Sequence, residues 1–80
     1  MTISEAVVQR LLELCAERQI TVNKISNISG ITQSTVSDII NRSTTNPGIA
    51  TIKKLCDGFD IDIREFFDSD LFDNLEQEVK

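Results

Sequence analysis

The chain has 80 residues, of which 40% are hydrophobic, with no His and a formal net charge of −5. That length holds one small domain with a modest core. It shows no glycine-rich phosphate loop and no nucleophile beside an evident base, so the reading is of a protein that is not an enzyme and uses no cofactor or metal. No apolar run is long enough to cross a membrane, and the N-terminal MTISEAVV lacks a basic region followed by an apolar stretch, so the expected location is the cytoplasm, with no membrane partner.

A first helix is expected over residues 4–18. Ser4 would cap it, and Glu5 would favour its positive end. Val7, Leu11 and Leu14 form one apolar stripe, and Val8, Leu12 and Cys15 form a second beside it. The second stripe needs a cover, either the C-terminal end of the chain or a second subunit. Arg18 reads as a solvated charge and Ile20 as a core residue. Cys15 and Cys56 are far apart in sequence, with no His to complete a zinc site. They read as buried free thiols.

Residues 21–42, TVNKISNISGITQSTVSDIINR, organise the rest. Val22, Ile25 and Ile28 precede Gly30, and Ile31, Val36, Ile39 and Ile40 follow it. Spacings of three and four are helical. Gly30 can take a positive φ at no steric cost, so the two runs read as short helices joined by a tight turn. Thr21 and Thr32 would be their N-caps. Two helices joined that tightly make a helix-turn-helix, whose second helix can enter the major groove. On that helix, residues 32–40, Val36, Ile39 and Ile40 should face the core. Gln33, Ser34 and Ser37 form a small polar face able to bond base edges. Thr32 lies near backbone N–H groups that favour a phosphate. Taken alone, such a polar face is most often simply solvated.

The stretch 41–48, NRSTTNPG, reads as the main loop. A further helix over 49–58 would bury Ile49, Ile52, Leu55 and Cys56 and expose Lys53 and Lys54. Asp60 suits a left-handed turn. Asp62 followed by Glu65 resembles a capping box and opens a short helix, 63–67, that would bring Ile63, Phe66 and Phe67 to the core, with Phe59 joining them or lying at the rim. Leu71, Phe72, Leu75 and Val79 have helical spacing and predict a last short helix, capped by Asp70. The expected architecture is therefore all-α: a compact five-helix domain over 1–67, then an acidic amphipathic extension over 68–80. The extension would pack on helix 1 or form a dimer contact.

Charge is unevenly placed. Residues 1–56 carry Arg10, Arg18, Lys24, Arg42, Lys53 and Lys54 against Glu5, Glu13, Glu17 and Asp38, a net of +2. Residues 57–80 carry nine acidic residues and two basic ones, a net of −7. An acidic end facing away from a nucleic acid fits this asymmetry better than the total charge suggests.

The chain resembles the Cro/C1-type helix-turn-helix family of phage repressors and small bacterial regulators. The likeness runs from about Val7 to Phe67. It rests on Leu11 and Leu14, Ile25-Ser26, the run Ser29-Gly30-Ile31-Thr32-Gln33-Ser34-Thr35-Val36-Ser37, Asn41-Arg42-Ser43, Asn46-Pro47, Thr51-Ile52, Leu55, Ile61 and Phe66-Phe67. The resemblance implies binding to double-stranded operator DNA, usually as a homodimer. It implies base reading by Gln33, Ser34 and Ser37, and backbone contacts from Thr32, Asn41, Arg42, Thr44 and the Asn46–Gly48 edge. Asp38, which could accept from cytosine N4, and Lys53 are additional candidate contacts. Three positions depart from the family: Val22 stands where a phosphate-binding Gln is common, Asp38 where Arg or Lys is common, and Cys15 where a basic residue is common. The function expected is a sequence-specific DNA-binding transcriptional regulator, a repressor by resemblance, with no small-molecule ligand evident. The alternative, suggested by the acidic end and Asp38, is a protein-interaction module with weak or no DNA binding, such as an antitoxin-like partner or a regulator that binds another regulatory protein.

Overall fold

The first helix, α1, spans Ile3–Arg18 and starts one residue earlier than Ser4 suggested. Thr2, not Ser4, is its cap. The Thr2 hydroxyl accepts from Glu5 N at 3.1 Å and the Glu5 carboxylate accepts from Thr2 N at 3.0 Å, a reciprocal capping box. Those bonds hold the Glu5 carboxyl below its usual range. Only Thr2 has an acid three residues on to complete that pair; the residue three beyond Ser4 is Val7, which goes to the core.

The computed structural model describes residues 1–41 and 46–79. After α1 come α2 (Val22–Ser29), α3 (Gln33–Asn41), α4 (Ile49–Phe59), α5 (Ile63–Phe67) and a single 3-10 turn, Asp70–Phe72. No strand forms among the described residues. Three helices end on a left-handed residue: Gln19 (φ 55°), Gly30 (φ 69°) and Asp60 (φ 59°). At each, the chain turns back, and the N–H of the next residue bonds a carbonyl inside the helix: Ile20 to Cys15, Ile31 to Ser26 and Ile61 to Cys56. Asp60 thus takes the left-handed role expected of it. Thr21 caps α2, accepting from Lys24 N at 3.0 Å, and Asp62 caps α5, accepting from Glu65 N at 2.7 Å.

The core gathers one face from each helix. Leu11, Leu14, Ile25, Val36, Ile39, Leu55, Cys56 and Phe66 are all buried. Burial pushes both the Cys15 and Cys56 thiols up, so they stay protonated and unreactive. Phe66, Phe67 and Phe72 stack edge to face in sequence, with centroids 5.1 and 4.9 Å apart. Through Phe72 the 3-10 turn packs on this core and lies against α1.

Arg10 is buried among these residues, where a charge needs partners. Its Nε donates to Phe66 O and its Nη2 to Glu65 O, each at 2.7 Å, and Nη1 pairs with Glu13. The last carbonyls of α5 are thereby satisfied by a side chain from α1. Arg18, expected to be merely solvated, donates Nε to Phe59 O at 3.2 Å and lies 5.7 Å from the Phe59 ring centre.

Three expectations are corrected. Ile49 is 67% exposed, because α4 opens at Gly48 and the first turn of the helix projects beyond the core, which begins at Ile52. Ile63 is exposed as well: Ile61, just before the cap, takes the core position, and Asp62 turns the first residue of α5 outward. The end of the chain does form the expected short helix, but it is not capped by Asp70 and does not reach Val79. It is one 3-10 turn capped by Ser69, whose hydroxyl accepts from Leu71 N at 3.2 Å, and Val79 is 87% exposed. Asp73 and Asn74 follow this turn, and their short side chains compete with the helical backbone, while Glu76 and Glu78 would sit unfavourably at a helix C-terminus.

The seam between α2 and α4 is unusually close. A Cβ built on Gly58 would fall 2.2 Å from Ser29 Oγ and 3.0 Å from Ile25 Cδ1. The Ser29 hydroxyl facing this seam is buried without a hydrogen-bond partner. An orphaned hydroxyl costs stability, and Ala is the better helix former. Ser29→Ala should therefore raise the unfolding free energy by about 1 kcal/mol in a urea titration, with unchanged m. No gain, or a loss, would mean that the hydroxyl is satisfied in solution.

Candidate nucleic-acid interface

The pair α2–α3 turns across Gly30, Ile31 and Thr32. Ser26 fixes this turn from both sides. Its carbonyl accepts from Ile31 N at 3.1 Å, and its buried hydroxyl donates to Ile31 O at 2.8 Å. The backbone at Ile31 is therefore held at its N–H and its C=O by one residue of α2. This sets the angle at which α3 leaves the turn.

Val36 and Ile39 anchor α3 inward, and Ile40 is partly buried beside them. The opposite side is exposed: Gln33, Ser34, Ser37, Asp38 and Asn41 all face solvent. The proposed base-reading residues thus share the outer side of one helix, as their spacing requires. Thr32 acts as the helix cap, with Oγ1 accepting from Thr35 N at 3.3 Å, and it also meets the Thr35 hydroxyl at 2.8 Å and the Ser34 hydroxyl at 3.3 Å. Three hydroxyls are therefore grouped at the start of α3, where unpaired backbone N–H groups also lie. At the other end, Asn41 Nδ2 donates to Ser37 Oγ at 3.0 Å.

Asn23, Gln33, Ser37 and Asn41 line one shallow groove between α2 and α3. Asn23 escaped the sequence reading. The signal for it was a polar residue two places after a Thr cap, hence on the first turn of α2, but nothing in the spacing aimed it at α3. Asn46 and Gly48 are exposed ahead of α4, and Gly48 serves as its N-cap without a side-chain bond. Arg42 and Thr44 lie outside the described residues.

The positive charge of residues 1–56 is partly consumed within the fold. Arg10 is spent on α5 and Arg18 on Phe59, while Lys53 pairs with Asp57, which pushes the lysine pKa up. Lys24 and Lys54 are exposed and make no ion pair among the described residues. No group of three or more His, Cys, Asp or Glu able to hold a metal occurs among the described residues, and none of their helices is long and apolar enough to cross a membrane.

Two short helices locked across Gly30, the second presenting amide and hydroxyl groups outward, define the class: a helix-turn-helix DNA-binding domain. The model of the Cro/C1-type HTH DNA-binding domain matches residues 3–70, and the chain belongs to that family. It is 47% identical over 47 residues, 59% of its length, to an uncharacterized HTH-type transcriptional regulator, RghRB, of Bacillus subtilis (strain 168). The chain spans only 34% of the length of that relative. Among solved structures it is similar to prophage Lp1 protein 11, with a TM-score of 0.81 and 31% identity over 94% of this chain and 99% of the other.

Proposed function

We propose that the chain is a sequence-specific regulator of transcription that binds double-stranded DNA in the cytoplasm as a homodimer and represses. In this reading α3 enters the major groove. Gln33, Ser34 and Ser37 read base edges, Gln33 by the bidentate geometry an amide offers to adenine. Thr32, Asn41, Arg42, Thr44, Asn46 and Gly48 meet the sugar-phosphate backbone on either side. Asp38 and Lys53 are further contacts, the carboxylate suited to cytosine N4. Two subunits would place their α3 helices one helical turn of DNA apart and read a near-palindrome. The observation that carries the reading is the division of α3: its apolar residues are buried, and its amide and hydroxyl residues are all exposed on the other side.

Few cations are left for phosphates, so binding should be modest per subunit, with a salt dependence set by that small number of contacts. About two phosphate contacts per subunit, four in the dimer, would lose on the order of a hundredfold in affinity between 50 and 200 mM salt. Fluorescence anisotropy on a selected duplex tests this. Gln33→Ala should cost about 1–3 kcal/mol on that duplex and almost nothing on an unrelated one. Equal losses on both duplexes would remove Gln33 from base reading. Binding indifferent to salt and to Gln33→Ala would contradict the whole reading.

A further inference from the structure

We propose that Val22 and Ile40 form an apolar seat for the 5-methyl group of a thymine, so that α2 takes part in sequence reading beside α3. The proposal rests on the reading above, that Gln33 and Ser37 meet base edges. The shallow groove between α2 and α3 is not polar throughout. Besides the amide and hydroxyl groups of its rim, Val22 of α2 and Ile40 of α3 line it, one from each helix, together with Val36. Val36 is fully buried, whereas Val22 and Ile40 are each only half-buried and so show carbon to the groove. Both pack against the core, which fixes where their exposed methyl groups lie. Val22 has no side-chain donor for a phosphate, so carbon contact is what it can offer DNA at this place.

The occupant follows from what surrounds this carbon. Gln33 and Ser37 belong to the rim of the same groove, so a base edge that meets them brings its neighbouring atoms over Val22 and Ile40. Among the four bases, the one apolar group on a major-groove edge is the thymine 5-methyl. Thymine also presents O4, an acceptor, and the Asn23 amide, the Gln33 amide and the Ser37 hydroxyl each carry a donor at the rim. Cytosine, the other pyrimidine, has no methyl and offers an amino group in place of O4, so it gains neither contact. The methyl gains by leaving water for a surface that is already anchored.

The test uses the full chain and the site it enriches from a random duplex library. Each thymine of that site is replaced in turn by deoxyuridine, which keeps O4 and the pairing and lacks only the methyl. Affinities are measured by anisotropy for the unaltered chain, Val22→Ala and the near-isosteric Val22→Thr, each first checked for a cooperative melt. With the unaltered chain, one thymine of each half-site, at or next to the pair that Gln33→Ala alters, should lose about fourfold in affinity on replacement. Val22→Ala and Val22→Thr should each at least halve that ratio, while the ratios at other thymines stay as they were. If the site holds no thymine there, or none that responds to deoxyuridine, the proposal is overturned while DNA reading by α3 stands. If both variants weaken the thymine and deoxyuridine duplexes equally, Val22 meets sugar carbon or serves the fold alone, and the proposal is again overturned. If no site is enriched, the DNA-reading function itself fails, and this proposal with it.

Discussion

Arg10→Ala should lower the unfolding free energy by about 3 kcal/mol, the cost of losing a buried side chain together with its bonds to two carbonyls of α5. Arg10 is 8% exposed, and its guanidinium bonds two carbonyls of α5 in addition to Glu13. Without it, the Phe66 carbonyl loses the guanidinium donor, the Glu65 carbonyl keeps only the Asp68 N–H at 3.2 Å, and α5 loses its tie to α1. For a domain of this size the midpoint of thermal unfolding should fall by about 15 °C. Arg10→Lys should recover only a small part, because one ammonium cannot place Nε and Nη2 donors on two carbonyls in a fixed fork. A drop under about 1 kcal/mol for Arg10→Ala would show that α5 is held by Phe66 and its neighbours alone. Arg10 lies outside the α3 face, so DNA affinity measured well below the new midpoint should change little.

Gly58→Val should cost about 2–3 kcal/mol, the upper range for overpacking. The position faces Ser29 and Ile25 across the closest approach of α2 and α4. A methyl group there can be admitted if the Ser29 hydroxyl swings away or is removed and the Ile25 and Ser29 side-chain carbons, at 3.0 and 3.3 Å, give way by a few tenths of an ångström. The pair Gly58→Ala with Ser29→Ala should thus sit near the unaltered chain, since Ala in a helix interior gains about 1 kcal/mol over Gly. The branched γ carbons of Val have no such escape, and α2 must move. Because α2 carries Ser26, the residue that fixes the turn into α3, this variant should also weaken DNA binding at temperatures where it is still folded. A chemical denaturation series checks the first effect, and anisotropy at 10 °C checks the second. Gly58→Val at full stability would mean that the seam is looser in solution than the geometry requires.

Much of this architecture was legible because apolar spacing and local chemistry agreed. Gly30 between two helical runs, Thr21 and Asp62 as caps and Asp60 as a left-handed stop each state a local requirement that few residues satisfy, and the chain meets them. Errors arose where a local pattern was compatible with two outcomes. Ile49 and Ile63 continue their apolar stripes, but each is the first residue of its helix, where the stripe outruns the core. Leu71, Phe72, Leu75 and Val79 keep helical spacing through a segment whose backbone favours a single turn. The tie between Arg10 and α5 spans more than fifty residues and leaves no periodic trace, so counting charges could only place Arg10 among the cations. The outer face of α3 was readable residue by residue, whereas the bond from Asn41 to Ser37 needed coordinates to show which neighbour holds which hydroxyl.

The central claim is that the outer face of α3 reads DNA sequence. Selection of bound sites from a random duplex library at moderate salt, with Gln33→Ala run beside the unaltered chain, tests it most directly. The expected result is an enriched two-fold symmetric site whose half-sites lie about one helical turn apart, altered or lost at a defined base pair in the variant. Absence of enrichment at every salt concentration down to the lowest, or an enriched site that Gln33→Ala leaves untouched along with Ser34→Ala and Ser37→Ala, would contradict it.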